Sequence, residues 1–269
     1  MTLRKTVERY CLKKLGRKPD LGNPRSYNDK IQWLKLYDHT EAQKVCCDKL
    51  AARKYVADRI GAEHIVPVLQ VAECFAGLKF RAPSIIKATH DSGSTTIVRD
   101  AASWRRASER IERAMGRTYG VASGEWAYAF AERAVIVEDV LTENNDYRFH
   151  CCEGRIKWVQ ISTPKDPGPI YETILDPDGE YLPLHLACRM IPTREPYAVP
   201  ANWPLMKQIA ETLSKEFRYV RVDLYSSRGR VYFSEMTFWP KAGCYTTKDN
   251  LKFGQMLDFD MSFKRPPLA

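Results

Sequence analysis

The segment Tyr219–Pro240, YVRVDLYSSRGRVYFSEMTFWP, has the most informative local pattern of the chain, because apolar and polar side chains alternate along two arms around a short polar turn. Such alternation predicts a β-hairpin in which each strand has two different faces. Charged side chains stand at Arg221 and Asp223 on the first arm and at Glu235 on the second. The hairpin is therefore a candidate site as well as a structural element.

The register of this hairpin depends on the length of its loop. A three-residue loop over 227–229, with its glycine in the left-handed conformation, places Arg221 opposite Glu235 and Asp223 opposite Phe233. Asp223 and Glu235 are then diagonal neighbours on one face. A two-residue loop would place the two acids on opposite faces, because a shift of one residue exchanges the faces of a strand.

Two interpretations of the paired acids are open. In the first they are solvated residues on the wet face of an antiparallel sheet, with Arg221 as a cross-strand partner. In the second they bind Mg²⁺, since carboxylate oxygens are the hard ligands that this ion prefers when it bridges phosphates. The residues upstream favour the second interpretation.

The composition is typical of a folded protein. Its 269 residues suffice for one large domain or two small ones, and 44% hydrophobic with 28% charged residues is ordinary for a globular chain. The 42 basic and 33 acidic residues give a formal charge of +9. This charge favours anionic partners such as nucleotides, acidic glycans, nucleic acid or membrane surfaces.

The cysteines and the N-terminus bear on the compartment. The eight cysteines include the adjacent pairs Cys46-Cys47 and Cys151-Cys152 but no C-x-x-C spacing, which predicts reduced thiols rather than a zinc site. The basic N-terminus lacks the apolar core of a signal peptide, and no run of 18 apolar residues occurs. These features predict a soluble, cytoplasmic protein.

Helical periodicity dominates the first sixty residues. Residues 3–16 predict a basic amphipathic helix that either packs on the body of the domain or lies on an anionic membrane surface. Ser26 is predicted to cap a helix over 28–38. A further helix over 47–60 places Lys49 in its first turn, where a lysine is disfavoured unless an anion lies nearby.

A second lysine interrupts an apolar strand. Lys87 lies in the strand predicted over 83–89 and needs a partner charge or a route to solvent. The segment that follows, HDSGSTTIV at 90–98, has the small hydroxyl and glycine residues that can surround a phosphate. It lacks the spacing of a Walker loop.

The rest of the chain predicts a mixture of helices and strands. The predicted elements are helices over 101–115, 125–133 and 202–217, strands over 65–69 and 134–141, a hairpin about Glu153-Gly154, a long functional loop over 164–200, and a short helix after Gly254.

Several of these motifs, taken in order, resemble the ATP-grasp superfamily. IIKATHDSGSTTIV, WAYAFAERAVIVEDVL, DYRFHCCEGRIKWVQIS and the opening hairpin look most like its TupA-like branch, which is associated with bacterial surface polysaccharides. The resemblance covers residues 23 to 258. It implies an α+β ATP-grasp fold of two α/β subdomains with antiparallel sheets and a nucleotide site between them. The expected division is an N-terminal helical segment over 1–45, a phosphate-loop subdomain over 46–133, and an adenine- and magnesium-binding subdomain over 134–269.

The resemblance also implies a set of nucleotide-binding residues. These are Lys49 and Lys87 at the phosphates, His90, Ser92, Gly93, Ser94 and Thr95 in the loop that closes over them, Glu138 at the adenine amino group, the backbone of Val140 and Leu141 at the adenine, and Asp146 at the ribose. Lys87 is also expected to act in catalysis.

For the chemistry, the resemblance implies that Asp223, Glu235 and Thr237 hold Mg²⁺ and that Arg221 steadies the charged intermediate. Many superfamily ligases carry E-x-N where this chain has Glu235-Met236-Thr237, and a hydroxyl is a weaker ligand than an amide carbonyl. The expected acceptor-binding residues are Arg148, Lys241 and Gly243, with Lys165, Arg189 and Arg194 as further basic candidates.

The resemblance thus implies an ATP-dependent carboxylate–amine ligase that forms an amide through an acyl phosphate on a surface-polysaccharide component. Its partners would be ATP with Mg²⁺, an acidic glycan or other carboxylate, and an amine or amino-acid donor. No nucleic acid is expected, and peripheral contact with a membrane surface is possible. Two alternatives stay open: a kinase that phosphorylates a glycan hydroxyl, and a non-catalytic basic protein that binds glycan or nucleic acid.

Overall fold

The computed structural model describes residues 2–141, 145–164, 168–193, 197–265 and 267. The chain divides into a large unit, residues 1–40 with 143–269, and a small unit, residues 41–142. The division expected from the sequence differs from this one. It assigned residues 134–141 to the C-terminal subdomain, whereas the strand there pairs within the sheet of the small unit.

The described residues form seven α-helices and ten strands. The helices are α1 (Leu3–Leu15), α2 (Tyr27–Tyr37), α3 (Glu41–Cys47), α4 (Ala51–Ile60), α5 (Ala101–Met115), α6 (Trp203–Ser214) and α7 (Asn250–Met256). The strands are β1 (Val68–Ala72), β2 (Ser84–Ala88), β3 (Thr96–Val98), β4 (Val135–Glu138), β5 (Asn145–Cys152), β6 (Arg155–Pro164), β7 (Ile170–Leu175), β8 (Ile191–Pro192), β9 (Val220–Ser227) and β10 (Arg230–Thr237).

The large unit is built on a six-stranded sheet in the order β10-β9-β5-β6-β7-β8. All of its strand pairs are antiparallel except β7 with β8. Helix α6 covers one face, where Trp203 packs against Phe149 with 5.3 Å between ring centroids. Phe149 pairs with Val222, so successive residues of β9 face α6 and the opposite side in turn.

The opposite face of this sheet carries the polar residues of the hairpin and is closed by α2 and α7. Tyr27 of α2 and Phe253 of α7 both pack against Trp158, which is completely buried. Ser26 caps α2 as predicted, since its side chain accepts a hydrogen bond from the Asp29 backbone N–H. Sequence-distant elements thus enclose the charged face of β9.

The small unit is an antiparallel four-stranded sheet in the order β1-β4-β2-β3, with α5 packed on one face. Ile86 and Ala88 of β2 point into the core beneath α5, together with Val135 and Val137 of β4. Because strand side chains alternate, Lys87 and Glu138 lie on the other face of the sheet.

Several predicted elements are wrong in kind or in position. The segment 164–200 is not one irregular loop, since β7 and β8 lie within it and extend the large sheet. The helix predicted over 47–60 begins later, at Ala51 (α4), because α3 ends at Cys47 and Asp48 accepts hydrogen bonds from the backbone N–H groups of Leu50 and Ala51 at the start of α4.

Smaller differences concern element ends. The first strand begins at Val68 rather than 65, the 125–133 helix is a short 3₁₀ turn over Trp126–Phe130, and the last helix starts at Asn250, before Gly254. Within the residues that the structure describes, no helix combines the length and apolarity needed to cross a bilayer.

Candidate functional site

The turn of the β9–β10 hairpin differs from the predicted one. Ser227 pairs with Arg230, which leaves a two-residue loop, and both Arg228 (φ 49°) and Gly229 (φ 74°) adopt the left-handed conformation. The predicted three-residue loop is therefore wrong, and so are its cross-strand pairs. Two left-handed residues in sequence match the twist of the flanking strands better than the longer loop.

A β-bulge compensates for the shorter loop. The register shifts between Phe233 and Glu235, so that Phe233 lies opposite Leu224 while Glu235 lies directly opposite Asp223. One extra residue, Ser234, thus returns Glu235 to the face of Asp223. The two acids share a face as expected, although for a different reason.

Arg221 is the centre of the acidic face. Its Nε donates to Asp223 Oδ1 at 2.7 Å, and its Nη2 donates to Glu235 Oε1 at 3.0 Å and to Thr237 Oγ1 at 3.2 Å. Thr237 Oγ1 in turn donates to Glu235 Oε1 at 2.9 Å. The structure therefore brings together all four residues predicted on this hairpin.

Strand β5 adds a second acid–base pair next to these groups. Arg148 lies opposite Asp223, and its Nε donates to Asp146 Oδ2 at 2.7 Å. Asp146 Oδ1 is buried without a hydrogen-bond partner among the described residues. This oxygen is therefore a hydrogen-bond acceptor or metal ligand that the contacts of the face leave unused.

Burial and charge act in opposition on these groups. Burial raises the pKa of Asp223 to about 7, against the opposing effect of Arg221. Burial disfavours the charge of Arg221, but Asp223 and Glu235 outweigh it and hold the pKa of the guanidinium well above its ordinary value. Arg221 is thus a permanent cation, while Asp223 is a carboxylate close to its titration point at neutral pH.

On the small unit, Glu138 lies between two cations. Its Oε2 is 2.5 Å from Lys87 Nζ, and its Oε1 contacts Arg53 Nη2. Glu138 is 2% exposed, which explains why the buried carboxylate needs both partners. The lysine predicted to need a partner charge has one, and the same contacts engage the carboxylate that was expected to meet adenine.

Sequence reasoning missed Arg53. Burial lowers its pKa to about 10, and Arg53 also contacts the Val66 carbonyl. The available signal was its position four residues after Lys49, on one face of the predicted helix.

Lys49 lies between α3 and α4, not in the first turn of a helix. Its Nζ donates to the Ala88 carbonyl at 3.1 Å and to the Asp91 carbonyl, and its backbone N–H donates to Thr89. Lys49 therefore holds the start of the segment that follows β2, residues 90–95, to the end of that strand; we call this segment the glycine loop.

The predicted phosphate loop divides into two kinds of residue. His90 is buried and donates from Nε2 to the Ala114 carbonyl at 3.1 Å, and Ser94 donates to Asp91 Oδ1 while accepting from the Ala88 N–H. The side chains of these two residues shape the loop. The exposed members are Ser92, Gly93 and Thr95.

The proposed acceptor loop follows β10 and has an unusual backbone. Lys241, Ala242 and Gly243 all have positive φ, at 55°, 51° and 64°. Gln32 donates to the carbonyls of Ala242 and Gly243, and Lys35 donates to that of Ala242 at 2.8 Å. A Cβ on Gly243 would lie 2.7 Å from Ile31 Cγ2, so glycine is required here.

The remaining predicted site residues are half-buried or exposed where the structure describes them. Val140 and Leu141 follow β4 and are half-buried, while Lys241 and Arg189 are exposed. Lys165 and Arg194 lie outside the described residues.

Comparison with models of protein families identifies the family of the chain. The family model described as TupA-like ATP-grasp matches residues 29–258. The chain belongs to this family. The match confirms the predicted membership, and the antiparallel sheets with flanking helices agree with the expected α+β ATP-grasp fold.

Solved structures of other ATP-grasp proteins resemble the chain only distantly. D-alanine–D-alanine ligase from Helicobacter pylori is 15% identical over 87% of this chain and 69% of its own, with a TM-score of 0.47. The corresponding ligase from Bacillus anthracis, complexed with ATP, is 14% identical over 72% and 55%, with a TM-score of 0.44. L-amino acid ligase from Bacillus licheniformis is 12% identical over 80% and 49%, with a TM-score of 0.46.

The chain thus spans between about half and about seven tenths of these structures. No curated protein matches it.

Behind the acidic face of this TupA-like ATP-grasp chain lies a hydrogen-bonded row that sequence reasoning also missed. Tyr27 and Tyr219 share a 2.8 Å hydrogen bond between hydroxyls, and a second of 2.8 Å joins Tyr219 to His150 Nδ1. His150 pairs with Arg221 across β5 and β9. Burial, then Arg221, lower the pKa of His150 well below its ordinary value, so the imidazole is neutral. No short motif contains these three residues, which explains why sequence reasoning missed them.

The donor set of the hairpin fits the magnesium ion that the family implies. Asp223, Glu235 and Thr237 offer only oxygen, two of the three donors being carboxylates, which suits a hard cation. The orphaned Asp146 oxygen lies on the neighbouring strand. Over the described ranges no cluster of three or more histidine, cysteine or acidic side chains is arranged to hold a metal, so the candidate set is these two acids with a hydroxyl.

Proposed function

We propose that the protein is an ATP-dependent carboxylate–amine ligase that forms an amide on a component or precursor of a bacterial surface polysaccharide. The observation that carries the proposal is the arrangement of Arg221 with Asp223, Glu235 and Thr237 on one enclosed face of the hairpin. A solvated hairpin face would not explain it, because Arg221 and Asp223 are both almost completely buried.

Each residue of this face has a task in such a reaction. Asp223 and Glu235, with Thr237, would hold Mg²⁺, which neutralises phosphate charge when bound. Arg221 keeps its positive charge at every relevant pH, and so can stabilise the negative charge of an acyl phosphate that forms when a carboxylate attacks the γ-phosphate. An amine then displaces phosphate and the amide forms. No side-chain nucleophile is required, since positioning and charge neutralisation lower the barrier.

The small unit supplies the nucleotide contacts in this proposal. Lys87 and Lys49 would neutralise phosphates, and the exposed Ser92, Gly93 and Thr95 would approach them most closely. Glu138 would retain its expected place near the adenine amino group while it orients Lys87.

The proposed contacts to adenine and ribose follow from the positions of residues that match the family pattern. The backbone of Val140 and Leu141 would contact adenine, and Asp146 of the large unit would contact the ribose.

The acceptor is proposed to be anionic. The net charge of +9 favours such a ligand, and Arg148, Lys241 and Arg189 offer cations in the large unit. The three consecutive left-handed residues that end at Gly243 give this border a fixed backbone, and Lys241 is the exposed member. All eight cysteines are free, in accord with a reaction in the cytosol.

The test is incubation with ATP, Mg²⁺ and a panel of acidic saccharides and amino acids, with ADP release and product mass followed together. We expect ADP release that requires both a carboxylate and an amine, and a product heavier by the amine less one water. Asp178→Asn serves as the control for Asp223→Asn, because Asp178 is an exposed acid of the same unit.

Other results would contradict the ligase. A stable phosphorylated saccharide formed without an amine would show that the protein is a kinase and not a ligase. Binding of glycan or nucleic acid with no ATP turnover under any combination would favour a non-catalytic protein.

A further inference from the structure

Helix α5 carries a stripe of arginines that the proposed reaction does not use. Arg106, Arg110 and Arg113 lie on the helix and Arg117 just after it, at spacings of four, three and four residues. Such spacing places all four on one face. All four are exposed, and the stripe lies about a quarter of a turn from the buried face of the helix, which is formed by Ser103, Ala107, Ile111 and Ala114.

The stripe borders a groove with a volume of about 580 Å³. One wall is the arginine stripe, the other is the loop Asp91–Ser94, and Tyr119 also contributes to the lining. We call this feature the arginine groove. All of its lining residues belong to the small unit.

The groove has an excess of positive charge. Four guanidinium groups face two carboxylates, those of Asp91 and Glu109, which leaves 4 − 2 = +2. Asp91 is already engaged, because it accepts a hydrogen bond from Ser94 and lies 3.8 Å from Lys49 Nζ. Within the described parts of the chain, none of the four arginines forms an ion pair with a carboxylate.

Two of the arginines are held in place by backbone carbonyls. Arg110 Nε donates to Gly93 at 2.9 Å, and Arg113 Nε donates to Glu109 at 3.0 Å. Each guanidinium is thereby oriented while its terminal nitrogens keep donor capacity for a ligand. Guanidinium forks match carboxylate and phosphate groups in a bidentate manner.

The arginine groove is distinct from the Lys87–Glu138 pair. Ile86 and Ala88 point toward α5, so Lys87 points to the other face of the sheet. The glycine loop connects the two faces of the small unit: the Asp91 carbonyl accepts from Lys49, and the Gly93 carbonyl accepts from Arg110.

We propose that the arginine groove binds an acidic glycan chain, whose carboxylate or phosphate groups are spaced along a flexible polymer. A helix rise of 1.5 Å per residue separates Arg106 from Arg113 by about 10 Å along the axis, so the stripe can engage successive charges of one chain. The concave shape favours a single polymer strand over a flat bilayer. Tyr119 is held by an edge-to-face contact with Tyr128 at 4.7 Å, and it offers a ring on which a sugar can stack.

The naming of a glycan rests on the proposed function, in which an acidic saccharide is the acceptor. The groove would hold a part of the chain remote from the reacting carboxylate. Its contribution is therefore to affinity for long acceptors and not to the chemical step.

Binding of an oligogalacturonate hexamer to the full chain, measured by calorimetry without ATP, tests the proposal. Maltohexaose is the neutral control of equal length. The test variant is Arg106→Glu/Arg113→Glu, which spares Arg110 because that residue contacts the nucleotide loop. The matched control is Arg99→Glu/Arg105→Glu, since both residues are exposed, lie at or near the same helix outside the groove, and change the charge equally.

We expect the hexamer to bind, maltohexaose not to bind, and the test variant to lose at least about tenfold in affinity, as for two lost charge-assisted contacts. The control variant should lose less than about threefold. Equal losses in both variants would show a net-charge effect and overturn the site. Tighter binding of anionic lipid vesicles or single-stranded DNA through the same arginines would overturn the glycan assignment.

Thermal unfolding of each variant checks folding, and glutamine in place of glutamate provides a second, milder pair. Asp223→Asn separates this inference from the proposed function, because that variant should retain hexamer binding while losing ADP release. If the wild type binds the hexamer but releases no ADP, the ligase proposal is contradicted and the glycan-binding proposal for the arginine groove is still supported. Loss of hexamer binding in Asp223→Asn would overturn the groove as an independent site.

Discussion

Each of the two units contains a cluster of buried charged side chains, and the two clusters differ in the sign of their net charge. The hairpin cluster of the large unit has three acids and two arginines, namely Asp146, Asp223 and Glu235 with Arg148 and Arg221. The cluster of the small unit has two cations about one acid, namely Arg53 and Lys87 about Glu138. The first is left with an excess negative charge and the second with an excess positive charge. A buried ionic group must be paired, so the sign left over indicates the ligand: a cation in one case, a phosphate in the other.

The clusters also differ in exposure. The side chain of Glu235 is 35% exposed, whereas that of Glu138 is 2% exposed. Glu235 can exchange a contact with Arg221 for one with an incoming cation at small cost. Glu138 cannot lose its partners without leaving a buried charge unpaired, which fixes it between Arg53 and Lys87.

The largest expected effect comes from neutralising the acids of the hairpin. Asp223→Asn and Glu235→Gln should each lower the rate of ADP release about 1,000-fold, because a neutral amide does not hold Mg²⁺ against water. Steady-state kinetics at saturating ATP measure the change. Asp178→Asn should retain wild-type activity. A reduction of less than tenfold in both acid variants would show that the excess negative charge does not serve a metal.

The small-unit cluster should respond through the nucleotide. Lys87→Ala should lower kcat/KM for ATP about 100-fold, since it removes a phosphate contact and leaves Glu138 with Arg53 alone. Lys79→Ala is the control, because Lys79 is exposed in the same unit. An unchanged kcat/KM with lower thermal stability would mean that Lys87 only neutralises Glu138.

Arg53 should affect stability more than nucleotide binding. Arg53→Met should lower the free energy of unfolding by about 2 kcal/mol, because the buried Glu138 then keeps one cation instead of two. Urea unfolding measures the change. The control is Lys54→Met, because Lys54 is exposed and pairs with the exposed Asp58; it should change the free energy of unfolding by less than about 0.5 kcal/mol. Equal effects would show that the contact to Glu138 is not the cause.

A further expected effect is a dependence of stability on pH. Burial raises the pKa of Asp223 from 3.8 to about 7, so the folded protein holds a proton there that the unfolded chain releases. This contribution to stability is complete below about pH 4 and is lost as the pH rises through about 7, with a slope of up to about 1.4 kcal/mol per pH unit.

Urea unfolding of the wild type and Asp223→Asn, both in EDTA, isolates this group. The stability of the wild type relative to the variant should fall between pH 5 and pH 7 and level off by about pH 8. A relative stability that rises over this range would mean that Arg221 outweighs burial in the metal-free protein.

Much of the candidate site was predictable from short segments. The strand that contains Lys87, the glycine loop after it and the charged hairpin all have strong local patterns, and each lies where it was expected. The family was predictable for the same reason, since several such patterns occur in one order. The sequence predicted that Lys87 needs an acidic partner. It did not predict that Arg53 contacts the same carboxylate.

The failures concern information that local patterns do not contain. The segment 164–200 is rich in proline and weakly periodic, yet β7 forms there because β6 offers it an edge, and buried Glu172 accepts hydrogen bonds from Gln160 and from the Leu186 and Ala187 backbone. Similarly, the helical pattern over 47–60 does not show that the helix begins only at Ala51, where Asp48 accepts hydrogen bonds from the Leu50 and Ala51 backbone.

Three features are visible in the order of the residues alone: the charged face of the hairpin, the lysine in an apolar strand before the glycine loop, and the resemblance to TupA-like ATP-grasp proteins. These are properties of residues a few positions apart, and the periods of strands and helices report them directly. Two further features depend on the folded chain: Glu235 faces Asp223 because of the bulge at Ser234, and Tyr27, His150 and Tyr219 lie behind the two acids. The physical reason is that a shift of one residue exchanges the faces of a strand, and its position is set by contacts between residues far apart in the chain.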